Sequence, residues 1–314
     1  VLDVPDGLRG RDFLRVGDWS PDELRAVLDL ASELKRLQRD RVPHALLPGR
    51  SLGLVFDKPS TRTRVSFSVG IAQLGAVAVP LAAGELQLGR GETIRDTALV
   101  LSRYLDAIVI RTYRQADVDD LAVHASVPVV NALTDEFHPC QALADVLTIR
   151  ERFGGFGGVR VAYVGDGNNV CHSLMAACAK LGIGFAAATP AGYEPDPEVT
   201  ARAREAASAT GVPLELLRDP REAARGADVL YTDVWTSMGQ DAERARRLRD
   251  FAGYRVDDEL LAVASKRAVV MHDLPAHYGE EITEDLLHGP RSAAWDQAEN
   301  RLHAQKALLA LVVP

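Results

Sequence analysis

The densest chemistry in the chain lies in DKPSTRTR, from Asp57 to Arg64. The hydroxyls of Ser60, Thr61 and Thr63 interleave with Arg62 and Arg64, after the apolar run SLGLVF and before a helix-like segment. A strand-to-helix turn leaves backbone N–H groups unpaired and points the positive end of the helix dipole at its ligand. Hydroxyl donors and a planar guanidinium at such a turn suit a phosphate. The alternative is a capped helix with solvated arginines.

Four further stretches hold polar residues at predicted element ends. In FHPCQALAD, His138 precedes a helix and Gln141 follows three residues on. An imidazole there can donate to a polarised carbonyl, and a Gln amide can hold a planar amide. The bland reading of His138 is a helix cap. VAYVGDGNNVCHSLM (Val161–Met175) has the strand, Gly-x-Gly turn and helix of a dinucleotide site. However, Val170 stands where the third glycine belongs, and no acidic residue closes the next strand to hold a ribose. Asn168 and Asn169 suit a carboxylate or a small polar molecule better than a nicotinamide cofactor. In YTDVWTSMGQ, Asp233 offers a negative charge while Ser237 and the Met238 backbone offer donors, the two kinds of group a zwitterionic amino acid needs. Asp273 and Leu274 follow another predicted strand, and Arg301 lies on the last helix. Cys171, His172 and Cys178 share one predicted helix but lack the close cysteine pair of a structural zinc site, so packing is their expected role.

The elements that must position these residues alternate almost from end to end. Strands are predicted at 51–56, 107–110 and 127–130, with helices near 61–74, 94–104, 118–124 and 140–153. The second half repeats the grammar, with strands at 159–164, 185–188, 214–217, 229–231 and 268–271. Its helices are expected near 169–181, 198–209 and 258–264. Such alternation implies an α/β fold, two similar domains each with a mostly parallel sheet flanked by helices. The glycine-rich GGFGG, Gly154–Gly158, interrupts the helix and marks the boundary. The first domain is therefore expected over 1–153 and the second over 154–295, with the C-terminal helix, 296–314, returning to the first.

Length and charge bound the remaining options. A chain of 314 residues with 47% hydrophobic and 25% charged residues is ordinary globular composition, and a net charge of −8 argues against nucleic acid as a partner. No apolar run is long enough to span a bilayer. The N-terminal segment lacks a basic region followed by an apolar stretch, so neither a secretory signal nor membrane attachment is expected. Three cysteines fit a reducing, cytoplasmic setting.

Taken in order, Ser-Thr-Arg-Thr-Arg, His-Pro-x-Gln, Gly-Asp-Gly-Asn-Asn, Asp-x-Trp-x-Ser-Met-Gly, His-x-Leu-Pro and Glu-Asn-Arg resemble the ornithine branch of the aspartate/ornithine carbamoyltransferase superfamily. The match runs from about Leu14 to the C-terminus. The resemblance implies carbamoyl transfer from carbamoyl phosphate to the side-chain amine of ornithine, within arginine metabolism, with no metal and no organic cofactor. It implies that Ser60, Thr61, Arg62 and Thr63 hold the phosphate, that Arg111 and His138 reach the carbonyl oxygen, and that Gln141 takes the carbamoyl amide. Leu274 and Arg301 would add contacts to carbamoyl phosphate. Asn169, Asp233, Ser237 and Met238 would grip the amino acid. A homotrimer, or a multiple of one, is implied too, with Gln87 reaching a neighbouring subunit's site.

One position departs from the family pattern. The family reads His-Cys-Leu-Pro where this chain reads His272-Asp273-Leu274-Pro275. A carboxylate there stabilises the ammonium form of the acceptor and can take its proton as a general base, which makes Asp273 a catalytic candidate. The alternatives are a different amine acceptor and a non-catalytic protein that binds carbamoyl phosphate or ornithine.

Overall fold

The computed structural model describes residues 6–58, 60–82, 91–237 and 239–314. The chain divides into two compact units, Val1–Leu147 with Asn300–Pro314, and Thr148–Glu299.

The first unit contains α1 (Pro21–Arg39), β1 (Ser51–Phe56), α2 (Thr61–Gln73), β2 (Val77–Ala82) and α3 (Ile94–Leu101). It continues with β3 (Ala107–Arg111), α4 (Gln115–His124), β4 (Val129–Leu133) and most of α5 (Pro139–Phe153). Its four strands run parallel in the order β2-β1-β3-β4. β1 and β3 are almost fully buried apolar runs, as strands covered by helices on both faces must be. Two elements of this unit lie outside the sequence prediction. β2 contains Pro80, which argues against a central strand, and among the described residues it occupies the sheet edge, where a missing N–H is tolerated. α1 has a legible start: Ser20 and Glu23 form a reciprocal capping box.

The second unit holds β5 (Arg160–Val164), α6 (Asn169–Leu181), β6 (Gly184–Ala188), α7 (Pro197–Thr210) and β7 (Leu214–Leu217). It continues with α8 (Pro220–Ala224), β8 (Val229–Thr232), α9 (Arg244–Asp250), α10 (Asp258–Val263), β9 (Val269–His272), α11 (Glu284–Leu287) and the start of α12 (Ala294–Val312). Five parallel strands form the sheet β7-β6-β5-β8-β9. Small and branched residues such as Ala162, Val164, Ala186, Leu230 and Val270 fill one side of it with α8, α10 and α11.

The C-terminal helix returns to the first unit, as expected. Lys35 Nζ donates to Asn300 Oδ1 at 2.8 Å, and the Gly10 N–H donates to the Val312 carbonyl at 2.8 Å. Lys306 is fully buried and donates to Gln38 Oε1, Gln73 Oε1 and His44 Nε2 at 2.8–3.0 Å. Its stem packs where Gly70 of α2 has no side chain, since a Cβ there would lie 2.9 Å from Lys306 Cγ. No described helix is long and apolar enough to cross a membrane.

Candidate active site

In a parallel sheet, the loops that follow the strands gather at one edge, and ligands are met there. In the first unit, Phe56 of β1 pairs with Arg111 of β3, and Arg111 pairs with Leu133 of β4. The turn after β1, the end of β3 and the segment after β4 are thereby set side by side. A register shift between Ile110 and Arg111 marks the point where the ladder loosens.

The turn after β1 feeds α2 directly. Ser60 is its N-cap, accepting the Thr63 N–H at 3.3 Å, with Thr61 and Arg62 exposed beside it. The first turn of α2 contains no acidic residue and instead carries Arg62 and Arg64, the reverse of what a helix dipole favours unless an anion is bound there. Thr63 is buried, and its Oγ1 accepts from Arg301 Nη2 of α12. The segment after β4 is fixed by a buried network. Thr134 Oγ1 donates to Gln115 Oε1 at 2.9 Å, Asn131 Nδ2 donates to the same oxygen at 3.0 Å, and the Phe137 N–H donates to Thr134 Oγ1 at 3.0 Å. His138 follows and is buried, its carbonyl accepting the Gln141 and Ala142 N–H groups that begin α5.

Charge at this edge is strongly positive. Burial holds the His138 pKa well below its ordinary value, and the charges of Arg301, Arg111 and Arg62 push it down further. His138 is therefore a neutral imidazole, able to donate one hydrogen bond without carrying charge. Gln141 is buried, and its Nε2 donates to Asp145 Oδ1 at 2.8 Å. That commitment leaves Gln141 Oε1, which has no hydrogen-bond partner, as an acceptor. Ser60, Thr63, Arg62, Arg111, His138, Gln141 and Arg301 thus belong to one constellation in the first unit.

The second unit gathers the loops after β5, β8 and β9 in the same way. Gly167 in the first loop is required by close approach, since a Cβ would lie 2.3 Å from the Pro195 nitrogen. Asn168 caps α6: its Oδ1 accepts the Val170 and Cys171 N–H groups and the Tyr163 hydroxyl at 3.0–3.1 Å. Its Nδ2 donates to Asp233 Oδ2 at 2.7 Å, joining the loop after β5 to the loop after β8. Asn169 Oδ1 also faces the Val170 N–H, at 2.9 Å. Asp233 is buried, and its other oxygen accepts the Val234 N–H at 2.7 Å. Ser237 is closed into a short turn with Gln240, whose Oε1 accepts the Ser237 N–H at 3.1 Å.

Asp273 follows β9 and joins this group: one ligand atom each of Asp233, His272 and Asp273 lie within 4.8 Å of one another. The turn itself is held from below. His272 Nδ1 accepts the Leu274 N–H at 2.9 Å, while Nε2 donates to the fully buried Glu281 at 3.1 Å. Leu274 adopts φ +62°, in the left-handed region that side chains other than glycine rarely occupy, and that N–H bond helps to keep it there. The second unit's edge is negative where the first unit's is positive. Gln87 and Met238 lie outside the described residues. Glu281 lies outside the motifs and supports the turn through His272 and the His277 N–H.

Residues 11–151 match the carbamoyl-P binding domain of aspartate/ornithine carbamoyltransferase, and residues 157–312 match its Asp/Orn binding domain. An ornithine carbamoyltransferase of Acidothermus cellulolyticus is 59% identical over 304 residues, 96% of either chain. The chain belongs to the aspartate/ornithine carbamoyltransferase family. Another relative, an ornithine carbamoyltransferase of Gloeobacter violaceus, is 55% identical over 302 residues, 96% of this chain and 95% of its own. The solved ornithine carbamoyltransferase of Pyrococcus furiosus has a TM-score of 0.95 to this chain at 53% identity, covering 99% of each. Arg62, Arg111, His138 and Gln141 fall in the residues that match the carbamoyl-P binding domain, while Arg301 and the carboxylates Asp233 and Asp273 fall in those that match the Asp/Orn binding domain.

Proposed function

We propose that the chain transfers the carbamoyl group of carbamoyl phosphate to the side-chain amine of L-ornithine, giving L-citrulline and phosphate. The observation that carries this reading is charge: arginines surround a neutral histidine in one unit, and two carboxylates converge in the other. The donor is a dianion near neutral pH, and the acceptor brings ammonium groups.

The donor's phosphate sits on the α2 N-terminus against Ser60, Thr61, Arg62 and Thr63, where N–H groups, hydroxyls and a guanidinium converge. Arg301 keeps Thr63 oriented and adds positive charge. Arg111 and His138 donate to the carbonyl oxygen, and the acceptor atom left to Gln141 takes the carbamoyl amide. The amino acid is gripped by Asn169, Asp233, Ser237 and Met238, and Leu274 completes the donor's surroundings.

The amine nitrogen attacks the carbonyl carbon, and charge builds on the carbonyl oxygen. A neutral imidazole and a guanidinium already aimed at that oxygen stabilise the tetrahedral oxyanion without reorganisation. Asp273 holds the incoming ammonium; the amine attacks once that ammonium has lost a proton to solvent. The tetrahedral adduct loses a second, and the C–O bond to phosphate then breaks, releasing phosphate among the arginines. Holding amine and carbonyl together supplies the remaining acceleration.

The chain works as a homotrimer or a multiple of one, in the cytoplasm. Supporting assembly through the first unit, nine of the twelve exposed large hydrophobic residues among the described ones belong to it, including Val65, Val69, Leu99 and Tyr104. The free, buried cysteines Cys140, Cys171 and Cys178 suit a reducing compartment. Citrulline and phosphate measured together from ornithine and carbamoyl phosphate test the activity. Equal yields of both are expected, and phosphate without citrulline would overturn the reading.

A further inference from the structure

Arg247, on α9, lies outside every sequence motif, yet it is almost fully buried at 7% exposure. Its Nη1 donates to Asp166 Oδ2 at 2.6 Å and to the Trp235 carbonyl at 2.9 Å, and its Nε donates to Glu243 Oε2 at 3.1 Å. The guanidinium carbon also sits 4.9 Å from the centre of the Tyr193 ring. Trp235 is buried and stacks on Phe251 at 5.6 Å, so its backbone is anchored from the side-chain end as well. The Trp235 carbonyl stands two residues after Asp233 and two before Ser237. Asp166 and Asn168 share the turn after β5, and both reach the loop after β8. Asn168 reaches it directly through Asp233, whereas Asp166 does so through Arg247.

Resting on the carbamoyltransferase reading, we propose that Arg247 is a positioning residue for the amino-acid acceptor: it fixes the Trp235 carbonyl and thereby the loop that presents Asp233 and Ser237. Arg247 touches neither substrate. Planar geometry is what the task needs, because one rigid fork serves a carboxylate, a carbonyl and a second carboxylate together. A lysine keeps the charge opposite Asp166 but loses the second contact.

The same geometry makes the clasp sensitive to acid. Burial raises the Asp166 pKa to about 6; Arg247 opposes that rise, while Asp233 and Glu243 add to it. As pH falls through this value Asp166 is neutralised, the Arg247 contact weakens, and grip on the amino acid is lost.

The test is steady-state kinetics of the full chain and of Arg247→Met, Arg247→Lys and Asp166→Asn, with thermal unfolding of each. Arg247→Met is expected to raise KM for ornithine about 10- to 100-fold, as loss of a hydrogen bond to a charged group does. KM for carbamoyl phosphate should stay within about twofold and kcat should change less than KM for ornithine; Arg247→Lys should recover part of the loss. Wild-type KM for ornithine should climb as pH falls through about 6, and Asp166→Asn should lack that step. The proposal is overturned if kcat falls with both KM values unchanged, if both KM values rise together, or if Asp166→Asn keeps the acid step. Should Arg247→Met fail to fold, Arg247→Lys and Asp166→Asn carry the same decision. Failure of the wild type to make citrulline would strike the functional reading instead, a separate outcome.

Discussion

Replacing Asp273 with cysteine tests how this chain handles the charge of its nucleophile. The Asp273 and Asp233 carboxylates lie within 4.8 Å of each other, and the Asp273 side chain is only 11% exposed. With an effective dielectric of about 20, a carboxylate about 5 Å from an ammonium stabilises it by about 3.3 kcal/mol. One pKa unit corresponds to about 1.4 kcal/mol, so an amine beside Asp273 holds its proton roughly two units higher than without it. The acid limb of kcat at saturating ornithine, where the bound amine must lose its proton, is therefore displaced upward in the wild type. Asp273→Cys removes the charge wherever the thiol is neutral. Citrulline formation measured from pH 6 to 10 at saturating ornithine should show the acid limb moved down by about two units, with turnover retained or raised near neutrality. An unmoved limb would refute the electrostatic reasoning. Collapse of turnover across the whole range would refute it too, because the carboxylate would then be indispensable rather than a modulator of the amine.

Three further outcomes are expected. His138→Ala should lower kcat by about 10²- to 10³-fold, the range for losing one oxyanion donor. Because burial and the surrounding arginines keep His138 neutral, the wild-type pH profile should show no limb from it near its ordinary value of 6.5. Iodoacetamide should leave wild-type activity intact, since all three cysteines are buried and burial pushes the Cys140 thiol up to about 12; Asp273→Cys should become sensitive, with ornithine protecting. Burial lowers the Lys306 pKa to about 8 from the usual 10.5, so between these values the unfolded chain binds more protons and stability should rise with pH. Denaturant titrations at pH 8 and 10 should show that rise reduced in Lys306→Met.

Much of the fold was legible because apolar strand runs and helical segments alternate, and because glycines follow the end of α5 at Phe153. β2 escaped because Pro80 lies inside it, a residue that an edge strand tolerates and a pattern reading penalises. The Ser20–Glu23 capping box, by contrast, was a signal available to announce α1. Candidate site residues that follow strands, such as Ser60, His138, Asp233 and Asp273, could be picked out because parallel sheets gather such loops at one edge. Arg247 was not, since its partner Asp166 is 81 residues away in sequence. Neutrality of His138 likewise depends on burial, and on arginines brought together only by folding.

The most direct test is a panel of amine acceptors at saturating carbamoyl phosphate: ornithine, lysine, shorter diamino acids and putrescine, compared by kcat/KM. Ornithine should lead, and putrescine, which lacks the α-carboxylate that Ser237 is proposed to grip, should trail far behind. Putrescine or another diamine turned over better than ornithine would contradict the account of how this chain selects its acceptor.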